Sequence, residues 1–120
     1  MTDAFADPSE VGGYHAHIYY APETRVAAER LRAGIAERFQ ARLGNWHDDP
    51  VGPHPVAMYQ VAFASEEFPA LVPWLMLNRD GLDVLVHPLT GDSVADHTRF
   101  ALWLGTALPL RLDVLRRGPR

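Results

Sequence analysis

Two histidines stand two residues apart in the aromatic and β-branched run Tyr14-His15-Ala16-His17-Ile18-Tyr19-Tyr20. A strand turns alternate side chains to one face, so both imidazoles point the same way, their Cα atoms roughly 6.5 Å apart. That is a spacing from which two ring nitrogens can reach one ion. The 120 residues contain no cysteine, so any metal falls to imidazole and carboxylate. Imidazole suits zinc, copper, iron and nickel about equally well, and the residue types do not name the metal. Ordinary hydrogen-bonded histidines account for the same spacing and stay open at this point.

Further histidines recur along the chain. His54 lies between two prolines in Gly52-Pro53-His54-Pro55, whose rings stiffen the backbone and push His54 out of the α region. His87 closes the run Leu82 to His87, sharing a face with Asp83 and Leu85. Asp83 is the nearby carboxylate, yet four residues of strand separate it from His87 by roughly 13 Å. A 2-His-1-carboxylate site would therefore need a carboxylate from elsewhere, or a third histidine. His97 falls between Asp96 and Thr98 in a helical stretch, where a surface histidine is the competing reading, and His47 reads as a loop residue without a role. Arg79, in the turn Asn78-Arg79-Asp80-Gly81, is placed to hold an anionic substrate or simply to be solvated. Tyr59, with Tyr14, Tyr19 and Tyr20, is placed either to flank an aromatic ligand or to pack a sheet.

The elements that must position these residues can be read from periodicity. Strands are expected at Tyr14 to Tyr20, Val56 to Phe63, Leu82 to His87 and Leu108 to Val114, each alternating in polarity. A helix starting at Pro22 and stopped by Gly44 carries Ala28, Leu31, Ile35 and Phe39 on one stripe. A second, capped at Ser65, is apolar nearly all round and so expected to be largely buried and distorted by Pro73. A third runs from its cap Asp92 through Trp103 to Gly105. The order implies an α+β fold: a ferredoxin-like two-layer sandwich, its four-stranded antiparallel sheet covered by helices on one face, with an added helix between the middle strands. A fully alternating α/β sheet is the alternative, but buried parallel strands read as continuous apolar runs rather than alternating ones. In the sandwich, Ala16, Ile18 and Tyr20 suit the covered face, which leaves His15, His17 and His87 on the open one.

A hydrophobic content of 48% over 120 residues suffices for one core. The boundaries read as an N-terminal arm at 1–12, in which Phe5 and Val11 could tuck against the body, one domain at 13–115 and a solvated tail at 116–120. The net charge is −4 and the longest basic cluster is Arg116-Arg117, so the electrostatic footprint of a nucleic-acid binder is absent. The first thirteen residues lack the order of a signal peptide, and no apolar run approaches the eighteen or so residues of a membrane span. A soluble, cytoplasmic protein without nucleic-acid or membrane partners is expected.

Four motifs in order, Tyr14-His15-Ala16-His17-Ile18-Tyr19-Tyr20, Gly52-Pro53-His54-Pro55, Val86-His87-Pro88-Leu89-Thr90-Gly91 and Asp96-His97-Thr98 followed by Leu102-Trp103-Leu104-Gly105, resemble the DOPA 4,5-dioxygenase family over about residues 13 to 112. The resemblance implies a ferredoxin-like homodimer and extradiol ring cleavage of a catechol by a non-haem Fe(II) centre with dioxygen, zinc or another divalent metal being the alternative ion. The family's histidines carry over at His15, His17, His54, His87 and His97. On that reading His15, His17 and His87 ligate the metal, while His54 and His97 supply acid/base chemistry. Exchange of the roles of His87 and His54 is the nearest alternative, and Tyr59 and Arg79 are the substrate-contact candidates. A metal- or small-ligand-binding module without turnover, and a purely structural dimer domain, are the competing function classes.

Overall fold

The computed structural model describes residues 4–116. Nine elements follow in order: β1 (Tyr14–Tyr19), α1 (Arg25–Arg38), β2 (Arg42–Leu43), β3 (Met58–Phe63), α2 (Phe68–Asn78), β4 (Val84–Pro88), α3 (Ser93–His97), β5 (Leu102–Leu104) and α4 (Leu112–Arg116). The strands form one sheet in the order β2-β3-β1-β4-β5, and every neighbouring pair is antiparallel. The fold is thus α+β, with five strands rather than the four expected.

The amphipathic stripe of α1 buries Ala28, Leu31 and Ile35. Pro22 opens a short 3-10 turn before it, and the Ala21 backbone N–H donates to Thr24 Oγ1 at 2.9 Å. The helix ends at Arg38, short of Gly44, because Phe39 turns extended and sets its ring edge-on against Trp74. Gly44 instead donates its N–H to the Gln60 carbonyl at 2.7 Å, extending the pairing of β2 with β3. From α2, Leu71, Val72 and Leu75 are buried, but Met76 and Leu77 are 51% and 85% exposed, so this helix is not covered all round as its composition suggested. It connects β3 to β4, which lie on either side of β1, and so forms the crossover between them rather than an insertion.

Both helices pack on one face of the sheet, with Ala16, Ile18, Tyr59, Val61, Val84 and Val86. Burying each larger aliphatic side chain there contributes about 1.5–3 kcal/mol, and a one-residue slip of any strand would turn that set to the other side. Register is therefore firmly specified. The opposite face carries His15, His17, Tyr19, Leu85 and His87, and Trp103 and the chain around Leu108 and Leu110 close over part of it.

The C-terminal third departs most from expectation. The helix expected through Trp103 stops at His97, where the Thr98 hydroxyl donates back to the Val94 carbonyl and Thr98 leaves helical geometry. Leu102 to Leu104 then pair with the otherwise open edge of β4. The strand expected at Leu108 to Val114 is instead coil followed by α4, tied down by the Arg111 N–H donating to the Pro53 carbonyl at 2.8 Å. At the other end, residues Pro8–Glu10 form a 3-10 turn and Phe5 is 96% exposed rather than tucked in. Of the expected tail, Arg116 is the exposed last residue of α4 and 117–120 lie outside the described residues, as do 1–3 of the expected arm.

Candidate metal centre

His15 and His87 face each other directly across the β1–β4 ladder, and His17 follows His15 on the same face. Alternation along two antiparallel strands therefore brings three imidazoles together. Their ligand nitrogens all lie within 4.8 Å of one another. His17 and His87 are buried, while His15 is partly open to solvent.

The contact between His17 and His87 is the most informative in the cluster. Their Nε2 atoms are 3.1 Å apart. His87 donates its Nδ1–H to the Pro88 carbonyl at 2.9 Å, which leaves a lone pair on Nε2. Two nitrogens at that separation need a proton or a cation between them, and both can sit about 2.1 Å from one ion. His17 Nδ1 is buried and has no hydrogen-bond partner among the described residues. A histidine that gives its second ring N–H to a carbonyl is oriented as metal-bound histidines are.

His54 and His97 stand beside this group. The His54 ring centroid is 4.2 Å from that of His17, and His97 is 4.0 Å from His87. The stiff segment between Pro53 and Pro55 buries His54, whose Nδ1 is hydrogen-bonded to the Tyr19 hydroxyl at 2.7 Å. His97 donates Nδ1–H to the Ser93 carbonyl at 2.7 Å, one helical turn back, leaving its Nε2 free to act. Asp92 caps this short helix by accepting from the Ala95 N–H. Behind it the buried Asp96 carboxylate accepts from the Thr90 N–H at 3.0 Å and from the Thr90 hydroxyl, pinning the loop after His87 to the helix that carries His97.

Burial, reinforced by the neighbouring imidazoles, favours the neutral form of His15, His17, His54 and His87. It pushes His17 well below the ordinary histidine value and His54 and His87 down to about 4. His15 is lowered too, by burial first, then by His97 and Arg42. Neutral imidazoles offer their lone pairs without first losing a proton, so the donor set fits a divalent transition metal.

Two sequence-level substrate contacts do not reach the cluster. Tyr59 lies on the helix-covered face, fully buried, and donates its hydroxyl to the Ala28 carbonyl at 2.9 Å. Strand alternation sends it away from the histidines. Arg79 sits beyond the opposite end of β4 from His87, donating to the Leu82 carbonyl at 2.9 Å. Nearby, Asp83 accepts from the Thr106 N–H at 2.8 Å and likewise takes no part in the cluster. His47 exchanges backbone hydrogen bonds with Met58. Sequence reasoning missed the link from Tyr19 to His54, although Tyr19 shares the period-two face of His15 and His17, and it missed the pinning role of Asp96.

Residues 14–114 match the model of the Dopa 4,5-dioxygenase family. The chain belongs to that family. Among Dopa 4,5-dioxygenase relatives, a DOPA 4,5-dioxygenase of Amanita muscaria is 39% identical over 115 aligned residues, covering 87% of this chain and 50% of that protein. A 21.2 kDa protein of Botryotinia fuckeliana with no assigned function is 36% identical over 133, covering 96% of this chain and 71% of its own. The chain thus spans half the length of the Amanita protein. A crystal structure from Nostoc punctiforme, described as that of a dioxygenase candidate, is 53% identical and superposes with a TM-score of 0.93 over 94% of this chain and 98% of that one. The family match includes all five clustered histidines.

Proposed function

We propose that this chain is an extradiol ring-cleaving dioxygenase acting on a catechol, DOPA or a related compound, with dioxygen and non-haem Fe(II). The observation that carries the reading is the triad of neutral imidazole nitrogens from His15, His17 and His87 within 4.8 Å, in a chain of this family. These three would hold the iron. When bound, ferrous iron supplies a Lewis acid for the two catechol oxygens and an electron conduit between catechol and dioxygen.

The chain's own residues then handle protons and shape. His54, with Nδ1–H held by the Tyr19 oxygen, takes a catechol proton at Nε2 and returns one later; a neutral imidazole is the form that can accept it. His97, its Nδ1–H fixed on Ser93, presents Nε2 as the second acid/base group. Trp103 stacks at a centroid distance of 5.9 Å on Tyr19, the residue whose hydroxyl partners His54.

The β-α-β-β-α-β order of the first six main elements, with strand order β2-β3-β1-β4, supports a ferredoxin-like core to which β5 is an addition. A single domain at 13–115, a homodimer and a cytoplasmic setting belong to the same proposal. Among the described residues no helix is long and apolar enough to cross a membrane.

The test is oxygen consumption by protein loaded anaerobically with Fe(II), over a panel of catechols. Uptake coupled to loss of the catechol absorbance is expected. Stoichiometric metal binding with no uptake for any catechol would overturn the enzyme reading and favour a binding module.

A further inference from the structure

Arg42, Ala62, His15 and His87 occupy one row across four strands of the sheet. Arg42 is paired with Ala62, Ala62 with His15, and His15 with His87. Directly paired residues in antiparallel ladders project to the same side, so Arg42 shares the face of the histidines. Leu43, its neighbour, turns the other way and packs on the helix-covered core. Two strand spacings of about 4.8 Å put the Arg42 and His15 Cα atoms roughly 10 Å apart. The residue between them is alanine, which leaves the intervening space open.

Beside that row opens a cleft of about 550 Å³ lined by His15, Arg42, Gln40, Ala62, Tyr14 and Phe63 among others, with no carboxylate among the described residues of its lining. The volume is that of a small-molecule site. Arg42 is exposed, and its guanidinium has no ion-pair or hydrogen-bond partner among the described residues. Arg25, Arg30 and Arg38, by contrast, are each engaged with a carboxylate. The cleft therefore presents one permanent, unspent positive charge beside the one histidine of the triad that is open to solvent.

We propose that Arg42 anchors a carboxylate substituent of the aromatic substrate, holding its ring against His15. The proposal rests on reading the histidine cluster as the catechol site. A guanidinium fork matches a carboxylate with two parallel N–H donors and fixes orientation as well as charge. Arg42 is in this sense a specificity-determining residue: it selects catechols that bear an anionic side chain over uncharged ones.

The experiment is anaerobic titration calorimetry on iron-loaded wild type, Arg42→Ala and Arg42→Lys, using 3-(3,4-dihydroxyphenyl)propionate and 4-methylcatechol as probes. Wild type is expected to bind the carboxylated catechol at least tenfold more tightly. Arg42→Ala should cut that preference below threefold, and Arg42→Lys should fall between, because it keeps charge without the fork. A wild type with no preference, or a preference intact in Arg42→Ala, overturns the assignment. Binding needs no turnover, so absence of oxygen uptake would strike the dioxygenase reading alone. Uptake with an unchanged preference would strike Arg42 alone.

Discussion

Acidifying the metal-free protein probes the histidine cluster most quantitatively. His54 and His87 fall from 6.5 to about 4 on folding, chiefly through burial. A histidine whose folded value is depressed favours the neutral form, so its contribution is fully present above about pH 6.5 and is lost as the pH falls toward 4. At 1.36 kcal/mol per unit, each site would lose about 3 kcal/mol in full, most of it by pH 4.5. Part of each shift is repulsion from the other imidazoles and counts once, which leaves about 3 kcal/mol for the pair at pH 4.5. Against a total stability of about 5–15 kcal/mol that is a large fraction. Of the carboxylates, Asp7 and Asp48 are lowered from 3.8, so their contributions disappear below this window. Urea unfolding followed by tryptophan fluorescence, in EDTA, should show the midpoint dropping by roughly 1.5 M between pH 7 and 4.5 for a slope of about 2 kcal/mol/M. A midpoint that moves by less than about 0.3 M, or rises, would refute the reasoning that these rings are held neutral by the fold.

Replacing Tyr59 by Phe removes the 2.9 Å side-chain donor to the Ala28 carbonyl, which sits inside α1, and should cost about 0.5–1.5 kcal/mol. Because Tyr59 lies on the far face of the sheet, KM for a catechol should not change, and a selective rise in KM would restore it to the site. Tyr19→Phe removes the 2.7 Å partner of His54; a stability loss of about 1 kcal/mol is expected. With no acceptor for Nδ1–H the imidazolium form is less favoured, so the acid limb of kcat/KM should move to lower pH, and an unshifted limb would detach Tyr19 from proton transfer. Gly105 has φ +87 and a Cβ there would meet Asp83 and Arg79, so Gly105→Ala should lower stability by more than about 1 kcal/mol in the same urea assay, and wild-type stability would show the turn to be tolerant.

The histidine face was legible because a strand's period is two: His15 and His17 point together whatever the strand pairs with, and His87 follows from the same alternation with Leu85. Their convergence was not, since the register that sets His15 opposite His87 is fixed by strands far apart in the chain. Tyr59 shows the same limit in reverse. Its residue type suits an aromatic ligand as well as a core, and the strand's other neighbours decide. Composition also misled where tertiary pairing overrides it. Leu102 to Leu104 fit a helical stripe, yet the open edge of β4 offers hydrogen bonds that a helix would leave unused. Leu108 and Leu110 alternate like a strand but use their apolar side chains to cover Tyr19 and Leu85 instead. Arg42 gave no signal as a site candidate because β2 is two residues long and shows no periodicity.

Metal stoichiometry tests the central claim most directly. Protein dialysed anaerobically against Fe(II), then analysed for metal content, should hold one ion per chain, while His15→Ala, His17→Ala and His87→Ala should each lose it and His54→Ala should retain it. Stoichiometric iron in both the His15→Ala and His17→Ala variants would contradict the three-histidine centre.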